Sequence, residues 1–238
     1  SEEEAGSSTN NYFTAEMKYS TDGRSYNAPV SFRVDYRSFF ADNTQYNQEL
    51  SVLASLYAMD MYNDGWLQMS SGTSGNSKAQ NGVSLGTIFG LNDCVNYDAD
   101  DLRTTYAARD SSGKLVDTDD VSEVFIGHRL ISYRGEQREV IFLAVRGTNS
   151  TNAEWSSNFD IGADTSGYYQ MTNEHPDWTN KENHKGFEVA ASRIMKAYNQ
   201  YINEMTAQGT FDTDAKRSIF ITGHSRGGAI ANILGAKF

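Results

Sequence analysis

Ser218-Ile219-Phe220-Ile221-Thr222-Gly223-His224-Ser225-Arg226-Gly227-Gly228-Ala229-Ile230-Ala231-Asn232-Ile233-Leu234 is the stretch that decides the fold. Its first five residues are largely β-branched or aromatic, the composition of a strand. Its last seven are rich in the Ala, Ile and Leu of an apolar helix. Between them lies Gly223-His224-Ser225-Arg226-Gly227, a Gly-x-Ser-x-Gly turn. A serine hydroxyl is a weak nucleophile until a base takes its proton, so a catalyst must hold it at a fixed, exposed position. A sharp strand-to-helix turn does this. Gly223 and Gly227 supply the missing side chains where the two backbones converge, while Gly228 and Ala229 let the helix lie close to the sheet. The helix N-terminus aims amide N–H groups and a positive dipole end at the place where an oxyanion would develop. The competing reading is a core strand ending in a tight glycine turn. The β-rich run on one side and the apolar helix on the other favour the nucleophile.

Working outward, Glu123–Tyr133 and Val140–Val145 read as two strands joined by a turn at Arg134-Gly135-Glu136-Gln137. The second strand is almost continuously apolar, as a central strand covered on both faces would be. It runs into Arg146-Gly147-Thr148-Asn149-Ser150. Three motifs now stand in order: Val145 through Ser150 followed by Trp155, His184-Lys185-Gly186-Phe187 ahead of a helix, and Gly-His-Ser-x-Gly-Gly at 223–228. In this order they resemble the class 3 (fungal-type) lipases. Phe39-Phe40-Ala41-Asp42-Asn43 with Tyr46-Asn47 resembles the bacterial members of that group. The resemblance covers roughly residues 38–238. It implies an α/β-hydrolase fold with a mostly parallel central sheet, incomplete at its C-terminal side. In that fold the acid and the histidine follow the serine in chain order. The expectation is therefore that both, the acid an aspartate, lie on a C-terminal segment held as a second chain after cleavage beyond Phe238. A truncated form and a degenerate, non-catalytic relative are the alternatives.

Position by position, the resemblance implies Ser225 as nucleophile. Thr148 would give its backbone N–H and hydroxyl to one side of an oxyanion hole, and Arg226 its backbone N–H to the other. The family usually has leucine after the serine, so the Arg226 side chain needs a different resting place. Arg146 reads as structural, pairing a carboxylate under the loop. Residues 149–158 would be a lid with Trp155 over the site; an ordinary surface loop whose tryptophan packs on the core is the equal alternative. Residues 159–183 form a long polar stretch with Tyr168, Tyr169, His175, Pro176 and Trp178, of a length that suits substrate contact. No histidine holds the expected place of a base. His224 adjoins the serine but leaves the elbow in another direction, His184 belongs to a structural motif, His128 lies in a strand, and His175 in a loop. The implied activity is hydrolysis of carboxylic esters, acylglycerols first, with phospholipase or small-ester activity as variants. A lipase-like binding protein with a vestigial Ser225 is the alternative.

Composition sets the remaining bounds. At 238 residues the chain suffices for one substantial core, and the polar residues 1–29 read as a loose arm, with a strand near Tyr12-Phe13, preceding a single domain at 30–238. A net charge of −11 argues against nucleic acid and against capture by anionic membranes, though a neutral lipid surface stays open. No apolar run is long enough to span a bilayer. Cys94 is the single cysteine, read as a packed thiol. With no phosphate loop, metal-ligand spacing or dinucleotide fingerprint, neither cofactor nor metal is expected. Many Asn, Ser, Thr, Tyr and Gly residues suit an exported or cell-surface bacterial protein. Val30–Tyr36 alternates like an edge strand, 45–61 and 185–205 carry helical spacing, and Leu85, Ile88 and Phe89 suggest a short helix. Residues 70–82 read as a surface loop, and Asp98 to Asp101 as a solvated helix start rather than a calcium site.

Overall fold

The computed structural model describes residues 12–21, 24–33, 35–41, 44–62, 67–69, 85–86, 89–97, 102, 104–109, 114–120, 122–148, 158 and 184–238. Tyr12–Thr21 (β1) and Arg24–Arg33 (β2) pair as an antiparallel hairpin. The strand expected near Tyr12-Phe13, within the arm over 1–29, is β1, and β2 follows it; of the edge strand expected over 30–36, the first four residues are the end of β2, and Tyr36 already opens a 3-10 helix. Phe13, Ala15, Met17 and Tyr19 stand opposite Phe32, Val30, Ala28 and Tyr26, a period of two that the polar residues between them obscure. At Tyr36–Phe40 the chain turns into a 3-10 helix, where Asp35 Oδ1 accepts from the Arg37 amide at 3.0 Å.

Gln48–Asp60 (α1) starts where Asn47 Oδ1 accepts from the Leu50 amide at 3.0 Å. This N-cap satisfies a donor the helix itself cannot. Leu53, Tyr57 and Met61, the spacing seen in the sequence, are buried. Leu67–Met69 (β3) pairs with β1. Leu85 and Gly86 are helical, as expected there, and the Phe89 amide returns to the Leu85 carbonyl. The expected loop at 70–82 and Asp98 to Asp101 lie outside the described residues.

The sheet that positions the site comes next. Asn92–Tyr97 (β4) is followed by a two-stranded ribbon of Thr104–Arg109 (β5) and Leu115–Asp120 (β6). Val124–Tyr133 (β7), Glu136–Val145 (β8), the helix Lys185–Gln208 (α2), Lys216–Gly223 (β9) and Arg226–Lys237 (α3) complete the order. The main sheet runs β4-β7-β8-β9. Among the described residues only β8 and β9 are parallel, so the mostly parallel sheet expected is corrected to a mixed one. The cause is local. Arg134 and Gly135, at φ +51° and +79°, make a two-residue turn tighter than the four residues anticipated. Such a turn can join only antiparallel strands, whereas a parallel pair needs a crossover, which α2 provides.

Strand β8 is the spine. Ile141, Leu143 and Val145 pack on one side with Ala191, Ile194 and Tyr201 of α2 and with Ile230 and Leu234 of α3. On the other side, Val140, Phe142 and Ala144 meet Tyr36, Leu53, Tyr57 and Met61. Each such apolar side chain contributes about 2 kcal/mol by leaving water, so the C-terminal end of β8 is held from both faces. Among the described residues no helix is long and apolar enough to cross a membrane.

Candidate active site

Strand β9 ends at Gly223 and α3 begins at Arg226, leaving His224 and Ser225 to make the bend. Ser225 sits at φ +55°, ψ −124°, a conformation that a residue with a Cβ enters at a cost of about 1–3 kcal/mol. The surrounding backbone imposes it. The Gly227 amide donates to the His224 carbonyl at 2.9 Å, and the Gly228 amide to the Ser225 carbonyl at 3.0 Å. Side chains at the flanking glycines would not fit: a Cβ on Gly223 would run into the backbone of Gly227, and one on Gly227 into Val145 O and the Arg146 backbone. Ser225 is exposed, and although it occupies the N-cap position its side chain makes no capping hydrogen bond. The hydroxyl is therefore presented outward at a helix N-terminus.

The same close packing places the end of β8 against the elbow. A Cβ on Gly147 would lie 2.6 Å from the His224 carbonyl oxygen. Arg146, just before it, is fixed twice: its amide donates to the Glu123 carbonyl at 2.9 Å, and its Nη1 pairs with Glu123 Oε2 at 2.8 Å. This matches the structural role expected for that guanidinium. Thr148 follows, half-buried, and its Oγ1 accepts from Asn158 Nδ2 at 2.9 Å.

Asn158 was not singled out in the sequence, where it is one amide among many in a polar stretch. It is positioned in turn by His184, whose Nε2 meets the Asn158 carbonyl at 3.1 Å. His184 is also the N-cap of α2: its Nδ1 accepts from the Phe187 amide at 3.4 Å, and its ring stacks on Phe187. One tautomer, with hydrogen on Nε2, satisfies both contacts. The His-x-Gly-Phe motif thus ties the start of α2 to the Thr148 loop.

Arg226 is the first residue of α3, so its amide lies at the helix N-terminus beside Ser225, while its side chain is buried. Trp155, the aromatic stretch 168–178 and His175 lie outside the described residues.

The described histidines are engaged elsewhere than at Ser225. His224 is exposed, its Nδ1 2.8 Å from Tyr62 Oη. His128 is fully buried, with Nδ1 2.9 Å from Glu139 Oε2 and Nε2 3.2 Å from Asp93 Oδ2. Burial alone would lower its pKa, but the Glu139 carboxylate, and then that of Asp93, raise it above the ordinary value. This cluster lies far from the elbow: Glu139 pairs with Arg217, six residues before Gly223, or about 20 Å of strand. Cys94, on β4, packs against the core that holds Tyr36 and Phe142, and burial pushes its thiol up to about 12, which makes it a poor nucleophile.

Residues 142–238 match the family model of lipase (class 3). Over that segment the chain is similar to the class 3 lipases. No curated protein and no solved structure matches the chain. The class 3 lipases are ester hydrolases with an α/β-hydrolase fold, and the mixed sheet β4-β7-β8-β9 with its flanking helices is compatible with it. The matched class 3 lipase segment begins inside β8 and takes in both the Thr148 loop and the elbow.

Proposed function

We propose that the protein is a serine carboxylic-ester hydrolase, a lipase that acts on acylglycerols through an acyl-enzyme on Ser225. The observation that carries this reading is the outward, uncapped hydroxyl of Ser225 on a positive-φ bend, with the Gly147–Thr148 backbone against the same bend. In the proposed reaction Ser225 Oγ attacks the ester carbonyl carbon and gives its proton to a histidine base. The carbonyl π electrons move to oxygen, where the Thr148 and Arg226 amides donate to the oxyanion. The Thr148 hydroxyl adds a third donor. Asn158 Nδ2 already donates to Thr148 Oγ1, so the hydroxyl hydrogen is left to point at the substrate. Collapse expels the alcohol, protonated by the histidine, and water then releases the acid.

In this reading the histidine base and its aspartate lie outside the described residues. Two features support it. The described histidines are committed to Tyr62, to Glu139 and Asp93, and to Asn158. In addition, β9 pairs with β8 on one side only among the described residues, and the groove between β9 and α3 is lined by Ile219, Ile221, Thr222, Ala231, Asn232 and Gly235. A strand edge left unpaired in this way is suited to a further strand. Asn149 to Asn158, with Trp155, would serve as the lid. The net charge of −11 suits a neutral ester better than an anionic surface, and the protein is proposed to be exported. Hydrolysis of emulsified tributyrin by the intact protein tests the reading: Ser225→Ala is expected to abolish it, and retention of wild-type turnover would overturn it.

A further inference from the structure

We infer that Tyr62 is a positioning residue that holds the two backbone segments of the oxyanion hole in register; the inference rests on the hydrolase reading above. The two segments, Gly147-Thr148 after β8 and His224-Ser225-Arg226 after β9, follow neighbouring strands. Their donors converge on one oxyanion only if the gap between them is fixed, because such donors act by being in place beforehand. Tyr62 touches both. Its hydroxyl lies so close to Gly147 that a Cβ there would collide with it. The same oxygen makes a hydrogen bond of 2.8 Å to His224 Nδ1, and the two rings meet edge to face with centroids 5.5 Å apart.

Tyr62 is itself anchored. Its amide donates to the Met59 carbonyl at the end of α1, and α1 is bound to β9 where Thr222 Oγ1 donates to the Ala54 carbonyl at 2.8 Å. Tyr62, 162 residues before His224 in the chain, thus reaches from just beyond α1 over the Gly147 backbone to the histidine preceding the nucleophile. This also accounts for the residue types on both sides. Only glycine at 147 leaves room for the tyrosine hydroxyl, and His224 supplies a ring nitrogen at the required place without turning toward the substrate.

The test is a double-mutant cycle on the intact protein with a soluble p-nitrophenyl ester. Tyr62→Phe and His224→Phe break one hydrogen bond from opposite ends while keeping an aromatic ring. Each is expected to lower kcat about three- to tenfold with KM unchanged. The double variant is expected to lose no more than either single one. The rate of covalent inactivation by a fluorophosphonate should fall by the same factor, while the melting temperature stays near that of the wild type. Additive losses, a change confined to KM, or unchanged kcat in Tyr62→Phe would overturn the inference. If a variant unfolds, His224→Asn gives the independent reading: its side-chain amide can still bond the Tyr62 hydroxyl, so inactivation should stay near the wild-type rate, and a three- to tenfold loss would count against Tyr62. A wild-type protein that fluorophosphonate does not label at all would remove the hydrolase reading, and this inference with it.

Discussion

Replacing Ser225 by glycine and by alanine separates the strain at the bend from the chemistry of the hydroxyl. Both substitutions remove the nucleophile, but only glycine removes the Cβ that makes φ +55°, ψ −124° unfavourable. Such a conformation costs about 1–3 kcal/mol in the folded state. Against this, glycine gives the unfolded chain additional freedom, which lowers stability by about 0.4–1 kcal/mol relative to alanine. The difference leaves Ser225→Gly more stable than Ser225→Ala by about 1 kcal/mol, or about 2–4 °C in melting temperature for a domain of this size. No lost contact confuses the comparison, because the serine side chain is exposed and makes no capping bond. Thermal melts followed by circular dichroism, together with urea midpoints, would measure it. If alanine proved as stable as glycine or more so, the bend would not be strained, and the account of why the hydroxyl is held there would fail.

The remaining predictions concern the loop and the buried ion cluster. Thr148→Val is expected to lower kcat by about 100-fold, the scale of one lost oxyanion donor. Asn158→Leu should reproduce part of that loss with the Thr148 hydroxyl still present; equal turnover in wild type and Asn158→Leu would show that the hydroxyl needs no positioning. For His128 the folded pKa is raised, so its contribution to stability is fully present below the unfolded value and is lost as pH rises through the folded one. Melting temperature should therefore fall as pH increases above about 6.5, and His128→Gln should remove that slope. The same variant leaves Glu139 buried without its cation and is expected to lose about 3–5 kcal/mol of stability in urea titrations. A wild-type melting temperature that rises over this pH range would contradict the assignment.

The elbow was legible because its constraints are local: two close glycine contacts and a serine between them fall within five residues. The continuous apolar run of β8 and the 3.6-residue spacing of α2 were legible for the same reason, since each reports burial along one element. Strand pairing is not local, and there the reading was less complete. The β1–β2 hairpin is written in residues whose polar alternates look like solvated chain, and the antiparallel β4 has no signal naming β7 as its partner. Glu139 and His128 each look like a polar residue on a strand, and only the register places Glu139 next to His128. Asn158 and Tyr62 escaped notice because their roles depend on what the fold brings to them, across 10 and 162 residues of chain. The sign of the Arg146 environment, by contrast, could be anticipated, because a guanidinium beside a buried loop must have a carboxylate.

The most direct measurement is to expose the intact protein to a fluorophosphonate, digest it and locate the adduct by mass spectrometry. The account predicts a single modified residue, Ser225, in wild type and none in Ser225→Ala. An adduct at another serine, or an unmodified Ser225 in folded protein that hydrolyses esters, would contradict it.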